Sequence, residues 1–284
     1  MQVGIWIKYL FGQADAICKV ARSRAALWTG VALVLLTSIP RNYDQTLLSE
    51  RPFRWIFGPL MFSFVSGSWL YLVVYEGCAR RVMSAPGDPG PAVDGGWNSF
   101  MGLFWMTAPI AWLYAIPVER FMDSVSAAHA NVVLLTVVSL WRVLLMTRVV
   151  QVTTKVPFLN AMVWVLFAAS AEVLAVLFLD AIVGGGLQRS VMASMAGMRN
   201  SPEEGIMNRA MNTAFVASLW VAPLSFVIAL KWRPKQLLQP LPCPVSGPMP
   251  WRGLVAVACF WNAIAILPQR EHAVARRPIR CGSQ

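Results

Sequence analysis

The chain is short of histidine, of acidic residues and of charge altogether. Only 2 histidines occur in 284 residues, and 13% of the residues are charged. A histidine-bound metal or a Ser-His-Asp relay would have to be built round His129 or His272, and neither has a partner in view. The motifs H-E-x-x-H, G-x-S-x-G and G-x-x-x-x-G-K-[ST] do not occur. The 5 cysteines, Cys18, Cys78, Cys243, Cys259 and Cys281, are odd in number and form no C-x-x-C pair, which excludes a recognisable disulfide framework or zinc motif. The acids Glu76, Glu119, Asp123, Glu172 and Asp180 do not cluster along the chain. No catalytic residue, metal or cofactor is therefore assigned.

Apolar sequence fills the space left by these absences. The chain is 57% hydrophobic, with a mean hydropathy of +0.56. A helix needs about 20 apolar residues to cross roughly 30 Å of hydrocarbon. Backbone groups left unpaired in lipid cost several kcal/mol each, so such runs are expected to be helical. They are too long for barrel strands and lack a period of two. The expected fold is all-α: a polytopic membrane helical bundle forming a single integral membrane domain. Seven apolar runs cover residues 25–40, 55–75, 98–117, 129–150, 159–183, 210–230 and 251–267. Residues 1–24 and 187–209 read as interfacial amphipathic segments, the second carrying Met192, Met195 and Met198 on one arc. Six prolines between 231 and 250 rule out a helix there. Pro109 is expected to kink the third run, and Ser63 with Gly67 to give the second a face for close helix approach.

The basic residues set topology. Net charge is +11, from 24 Lys+Arg against 13 Asp+Glu. The cations flank apolar runs, where they suit membrane orientation and anionic headgroups, so nucleic acid is not an expected partner. With seven spans the two sides carry nearly equal numbers of cations. If the short seventh run does not cross, Arg270, Arg276, Arg277 and Arg280 join the N-terminal side and a clear positive-inside bias results. The apolar runs argue for seven spans and the charge bias for six.

Two ions stand inside the apolar runs. Arg142 lies near the middle of the fourth and Glu172 near the middle of the fifth. The runs are joined by a short loop, so they should be antiparallel. Counted from that loop, the two residues differ in depth by roughly 7–8 Å at about 1.5 Å rise per residue, within reach of an arginine side chain. A charge at mid-bilayer requires a partner or water. Arg142 and Glu172 are accordingly expected to form an intramembrane ion pair, or to line a polar site for a proton, an ion or an anionic group. Arg148 is close enough to its helix end to reach the interface. The spacing M-x-x-M-x-x-M could suit a soft metal, but without Cys or His beside it it reads as adaptable packing.

The blocks Arg41-Asn42-Tyr43-Asp44, Phe104–Phe121 and Met195–Glu204 resemble multi-span bacterial membrane proteins of unknown function. The resemblance implies a bacterial cytoplasmic membrane and brings no catalytic or binding residue. Three functions follow as expectations. The first is a non-enzymatic accessory or assembly subunit that binds a protein partner or a second copy of itself. The others are a small transporter or channel working round Arg142 and Glu172, and an intramembrane enzyme.

Overall fold

A computed structural model describes residues 3–38, 52–76, 93–116, 118, 121–154, 156–182 and 202–231. The expectations for 187–201, for the proline-rich stretch 232–250, for the seventh run 251–267 and for the basic tail lie outside the described residues. Of those described, 92% are helical. The helices are α1 (Val3–Leu10), α2 (Ala14–Ala21), α3 (Arg24–Ser38), α4 (Pro52–Tyr71), α5 (Val93–Trp105), α6 (Ser124–Thr154), α7 (Phe158–Ile182) and α8 (Pro202–Lys231). A π turn, Leu72–Glu76, continues α4, and a 3-10 segment, Ala108–Ala115, follows α5.

Four stretches are long and apolar enough to cross a membrane: Phe57–Tyr75, Val125–Thr154, Phe158–Leu179 and Arg209–Lys231. They correspond to the expected runs 55–75, 129–150, 159–183 and 210–230. Only 22–28% of each apolar window is buried inside the protein. The outward faces carry Phe62 and Val65 on α4, Val133 and Leu140 on α6, Phe178 on α7, and Trp220, Leu224 and Val227 on α8. Exposed apolar faces of this extent are consistent with a membrane protein. The interior is meanwhile lined in part by small hydroxyl residues, Thr29, Ser66, Ser99, Thr107, Thr147, Thr153, Ser170 and Ser218. Small and hydroxylic contact surfaces with greasy exteriors are the pattern of helices packed in lipid.

The first and third runs depart from full-length spans. Arg24–Thr37 is apolar but short. The third run is a broken helix: α5 stops at Trp105, and the chain resumes as the 3-10 segment after a turn at Met106-Thr107. Pro109 supplies part of the reason, because it has no N–H to return to the carbonyl four residues back. The expected kink is thus a full interruption. Every residue from Ser99 to Ile110 is buried.

The break lies in the middle of the packing. α3 and α5 run parallel: the Ser99 hydroxyl donates to the Ala21 carbonyl at 2.7 Å, Gly102 lies on the backbone of Leu27, and Gly30 lies on Trp105. A Cβ at Gly30 would stand 2.6 Å from Cβ of Trp105, so only glycine permits this approach. α4 and α7 run antiparallel, with Ser66 beside Glu172 and the Trp69 indole donating to the Ala168 carbonyl at 3.0 Å. Gly67 presses on Met101 and Phe104 of α5, which is the close approach expected of its face. α7 and α8 form the broadest helix pair, with Phe167 and Phe226 rings 5.2 Å apart.

Residues 3–21 do more than lie on a surface. They fold as a hairpin whose second helix buries Ala16, Ile17, Val20 and Ala21 against the bundle. Gly12 (φ 71°) closes α1: its N–H bonds the Tyr9 carbonyl at 2.8 Å, and the Gln13 N–H bonds the Lys8 carbonyl at 3.0 Å. That is a Schellman ending, which needs a left-handed residue. Two carbonyls near this ending are taken by α6. The Trp141 indole donates to Leu10 at 3.0 Å and the Arg148 guanidinium to Gly12 at 3.2 Å. Arg148, expected to reach for the interface, is therefore bound to a helix end, where a cation is favoured.

Candidate functional site

Four helices meet where three of them bring polar side chains into the bundle. α4 supplies Ser66 and Gly67, α5 supplies Phe104, α6 supplies Arg142, and α7 supplies Glu172. The Ser66 hydroxyl donates to Oε1 of Glu172. Arg142 Cζ lies 5.2 Å from the centroid of the Phe104 ring, within the range of a cation–π contact. Phe104 also lies against Gly67, the neighbour of Ser66. The Arg142 charge acts attractively on Glu172. The two sequence candidates are thus brought to one neighbourhood, linked through Ser66, Gly67 and Phe104. Both side chains are half-buried.

The interrupted helix adds a second source of negative potential. A helix C-terminus exposes carbonyl groups and carries about half a negative charge. The last turn of α5 ends beside Arg142. Its carbonyls are bound individually. Leu103 accepts the Tyr9 hydroxyl at 2.5 Å, Gly102 accepts the Met106 N–H at 3.0 Å, and Phe104 accepts the Thr107 hydroxyl at 2.7 Å. Tyr9 reaches in from the N-terminal hairpin and is fully buried. Burial pushes its phenol well above the usual tyrosine range, with the Arg142 charge pulling the other way. The cation at Arg142 therefore lies over the Phe104 ring at a helix end, and its charge is felt at the Tyr9 phenol and the Glu172 carboxylate.

Nearer the end of α6, a smaller cluster joins three helices. The Tyr75 hydroxyl and Thr153 Oγ1 lie 2.7 Å apart, and Thr153 bonds back to the Val149 carbonyl at 2.8 Å. Tyr71, Tyr75 and Phe100 stack about it, with centroids 5.1–5.6 Å apart. The π turn follows Tyr71 directly and carries Tyr75 into this contact.

Several of these residues escape a reading of sequence. Ser66, Phe104 and Tyr9 are single apolar or hydroxylic positions whose roles come from distant partners. Only Gly67 carried a local signal, through its spacing from Ser63. Among the described residues the buried Ser68 hydroxyl and the Trp105 indole N–H have no hydrogen-bond partner. No group of three His, Cys, Asp or Glu side chains converges among the described residues. Asp123, expected in a charged turn, is exposed and caps α6 by accepting the Ser126 N–H at 3.0 Å. The chain matches no protein-family model, no curated protein and no solved structure.

Proposed function

We propose that this protein is a multi-pass subunit of a cytoplasmic membrane, with six or seven crossings, and that it works as a non-enzymatic accessory or assembly factor. Its partner is another membrane protein or a second copy of the chain. The observation that carries this reading is the use made of the embedded polar groups. Glu172 is held by Ser66, Arg142 by the Phe104 face, and the α5 carbonyls by Tyr9 and Thr107. Each contact joins one helix or segment to another or closes a helix end. On this reading the Arg142–Glu172 attraction fixes how α6 and α7 sit against α4 and α5, a use of embedded polar groups that trades stability for specificity.

A transport site round the same residues is the second reading. It is favoured by the interruption of α5 at the level of Arg142, a feature that transporters use to present backbone ends to ions. The orphaned groups of Ser68 and Trp105 add to it, since buried polar atoms without partners call for water or a ligand.

Single and double substitutions separate the two. Removing one member of a charge pair leaves the other uncompensated; for half-buried groups such as these the cost stays below about 3–5 kcal/mol, the figure for a fully buried pair. Arg142→Ala or Glu172→Ala alone should lower the amount of folded protein in the membrane, and the double variant should restore it. A subunit then keeps its partner on co-purification from native membranes. A transport site predicts instead that the double variant accumulates but is inactive in the cell, and that the wild type co-purifies with nothing.

A further inference from the structure

The outer edge of the N-terminal hairpin is strongly basic and only partly polar. Lys8 on α1, Lys19 on α2, Arg22 after it and Arg24 at the start of α3 are all exposed. Asp15 is the one acidic residue between positions 3 and 28. Burial of Ala16, Ile17, Val20 and Ala21 turns Lys19 outward. Arg24 and Trp28 stand four apart on α3 and share an outward face. The same helices and the turn between them also expose large apolar side chains: Phe11, whose ring rests on Trp141 at 5.7 Å, is 71% exposed, Trp28 60% and Ile7 47%.

From this pattern we infer that the edge formed by Lys8, Lys19, Arg22 and Arg24, with Phe11 and Trp28, is a binding surface for anionic phospholipid. The inference rests on the membrane reading above and goes beyond it by naming a lipid class and its residues. Cations pair with the phosphodiester and other anionic headgroup oxygens, while the aromatic and aliphatic tips enter the acyl boundary. An acidic protein or a nucleic acid would match the charge but not the apolar tips. The position agrees as well, because α3 runs from Arg24 directly into its apolar stretch, so Arg22 and Arg24 sit where the chain enters hydrocarbon.

The surface is also rigid. The hairpin is held by the Gly12 turn, by Trp141 and Arg148 of α6, by the Tyr9–Leu103 bond and by the Ser99–Ala21 bond. Arg148 is spent on Gly12 and Gln151, so it is not counted among the lipid-facing cations. A fixed set of cations loses little freedom when a headgroup docks, unlike a flexible basic tail.

The test uses the full chain in phosphatidylcholine bilayers containing a trace of spin-labelled phosphatidylglycerol or spin-labelled phosphatidylcholine. The motionally restricted fraction of each label gives the relative association of the two lipids with the protein. Phosphatidylglycerol should be favoured roughly three- to five-fold at low salt, as expected for a few cations close to the surface. The preference should collapse in about 0.5 M salt. The variant K8Q/K19Q/R22Q/R24Q should bring the ratio close to one while restricting as much phosphatidylcholine as the wild type. K8R/K19R should keep the preference, and R209Q/K231Q should leave it unchanged. Wild-type protein that restricts both lipids equally, or a preference that persists in the quadruple glutamine variant, overturns the proposal and leaves the membrane reading intact. Failure to restrict any lipid overturns the membrane reading itself. If the quadruple variant does not fold, the paired variants K8Q/K19Q and R22Q/R24Q take its place: each should lower the ratio part of the way, and two that fold and leave it unchanged overturn the proposal.

Discussion

Two apolar runs of this chain, each with a proline inside, end up as opposites. α8 is a continuous helix of 30 residues that keeps Pro223 within it and turns Trp220, Leu224 and Val227 outward. The run from Val93 to Ala115 is broken at Trp105 and buried through its middle. α4 also carries a proline, Pro59, without breaking. Proline therefore does not by itself decide the outcome. Near Pro223 the Ser225 hydroxyl bonds back to the carbonyls of Val221 and Ala222, whereas the carbonyl that the proline deprives of its N–H is that of Leu219, so α8 stays helical across one missing bond. At the break in α5 the released carbonyls take donors from Tyr9 of the N-terminal hairpin and from the adjacent Thr107. A helix surrounded by protein can open in this way, because neighbours satisfy the carbonyls it releases.

The contrast is sharpest at glycine. Gly30→Val should be the most damaging change, since even a Cβ there meets Trp105 at 2.6 Å. Overfilling a packed contact of this kind costs about 1–3 kcal/mol or more. Gly205→Ala on α8 places its Cβ in open space and should alter stability by less than about 1 kcal/mol. Denaturant unfolding in mixed micelles measures both, and equal losses would remove the distinction between the two regions.

Tyr9→Phe should come next. It leaves the Leu103 carbonyl without its phenol in a buried place, at a cost of about 1–2 kcal/mol in the same unfolding measurement. Hydrogen exchange should rise at the end of α5 and stay unchanged in α8. If exchange rose equally in both helices, the broken segment would not be the local dependant of the hairpin described above.

The smallest effect belongs to the exposed start of α6. Asp123 is held below the usual aspartate range, first by the Ser126 backbone bond and then by its hydroxyl. A carboxylate with a lowered folded-state value stabilises the fold above its unfolded value near 3.8 and loses that contribution as pH falls through the folded one. Asp123→Ala should therefore lower Tm slightly near neutral pH. In strongly acidic solution, below the folded-state value, the curves of variant and wild type should meet. A gap that widened toward acid would contradict the cap.

Hydropathy made the four long spans legible, because apolar length is a local property. Arg142 and Glu172 stood out as ions inside apolar runs, while the partners each one meets, Phe104 and Ser66, did not. The rest was set by partners far along the chain. Nothing near Ser66 announces a carboxylate on α7, and nothing near Tyr9 announces a carbonyl at Leu103, 94 residues away. The break in α5 has the same origin. Pro109 hinted at a bend, but whether a proline bends or interrupts a helix depends on which donors lie nearby. The burial of α2 was hidden for a related reason, since an amphipathic segment reads alike whether its apolar face meets lipid or protein.

On the proposed reading the outward apolar faces lie in hydrocarbon while the interrupted helix lies inside protein. Spin labels placed singly by cysteine at Trp220, Leu224 and Val227 of α8, and at Met101 and Leu103 of α5, test it in a cysteine-free background reconstituted in bilayers. Collision rates with oxygen and with a water-soluble nickel chelate are then compared. The α8 labels should collide freely with oxygen and hardly with nickel, while the α5 labels should meet neither. Frequent nickel collisions along α8, or oxygen collisions along α5 equal to those on α8, would contradict the account.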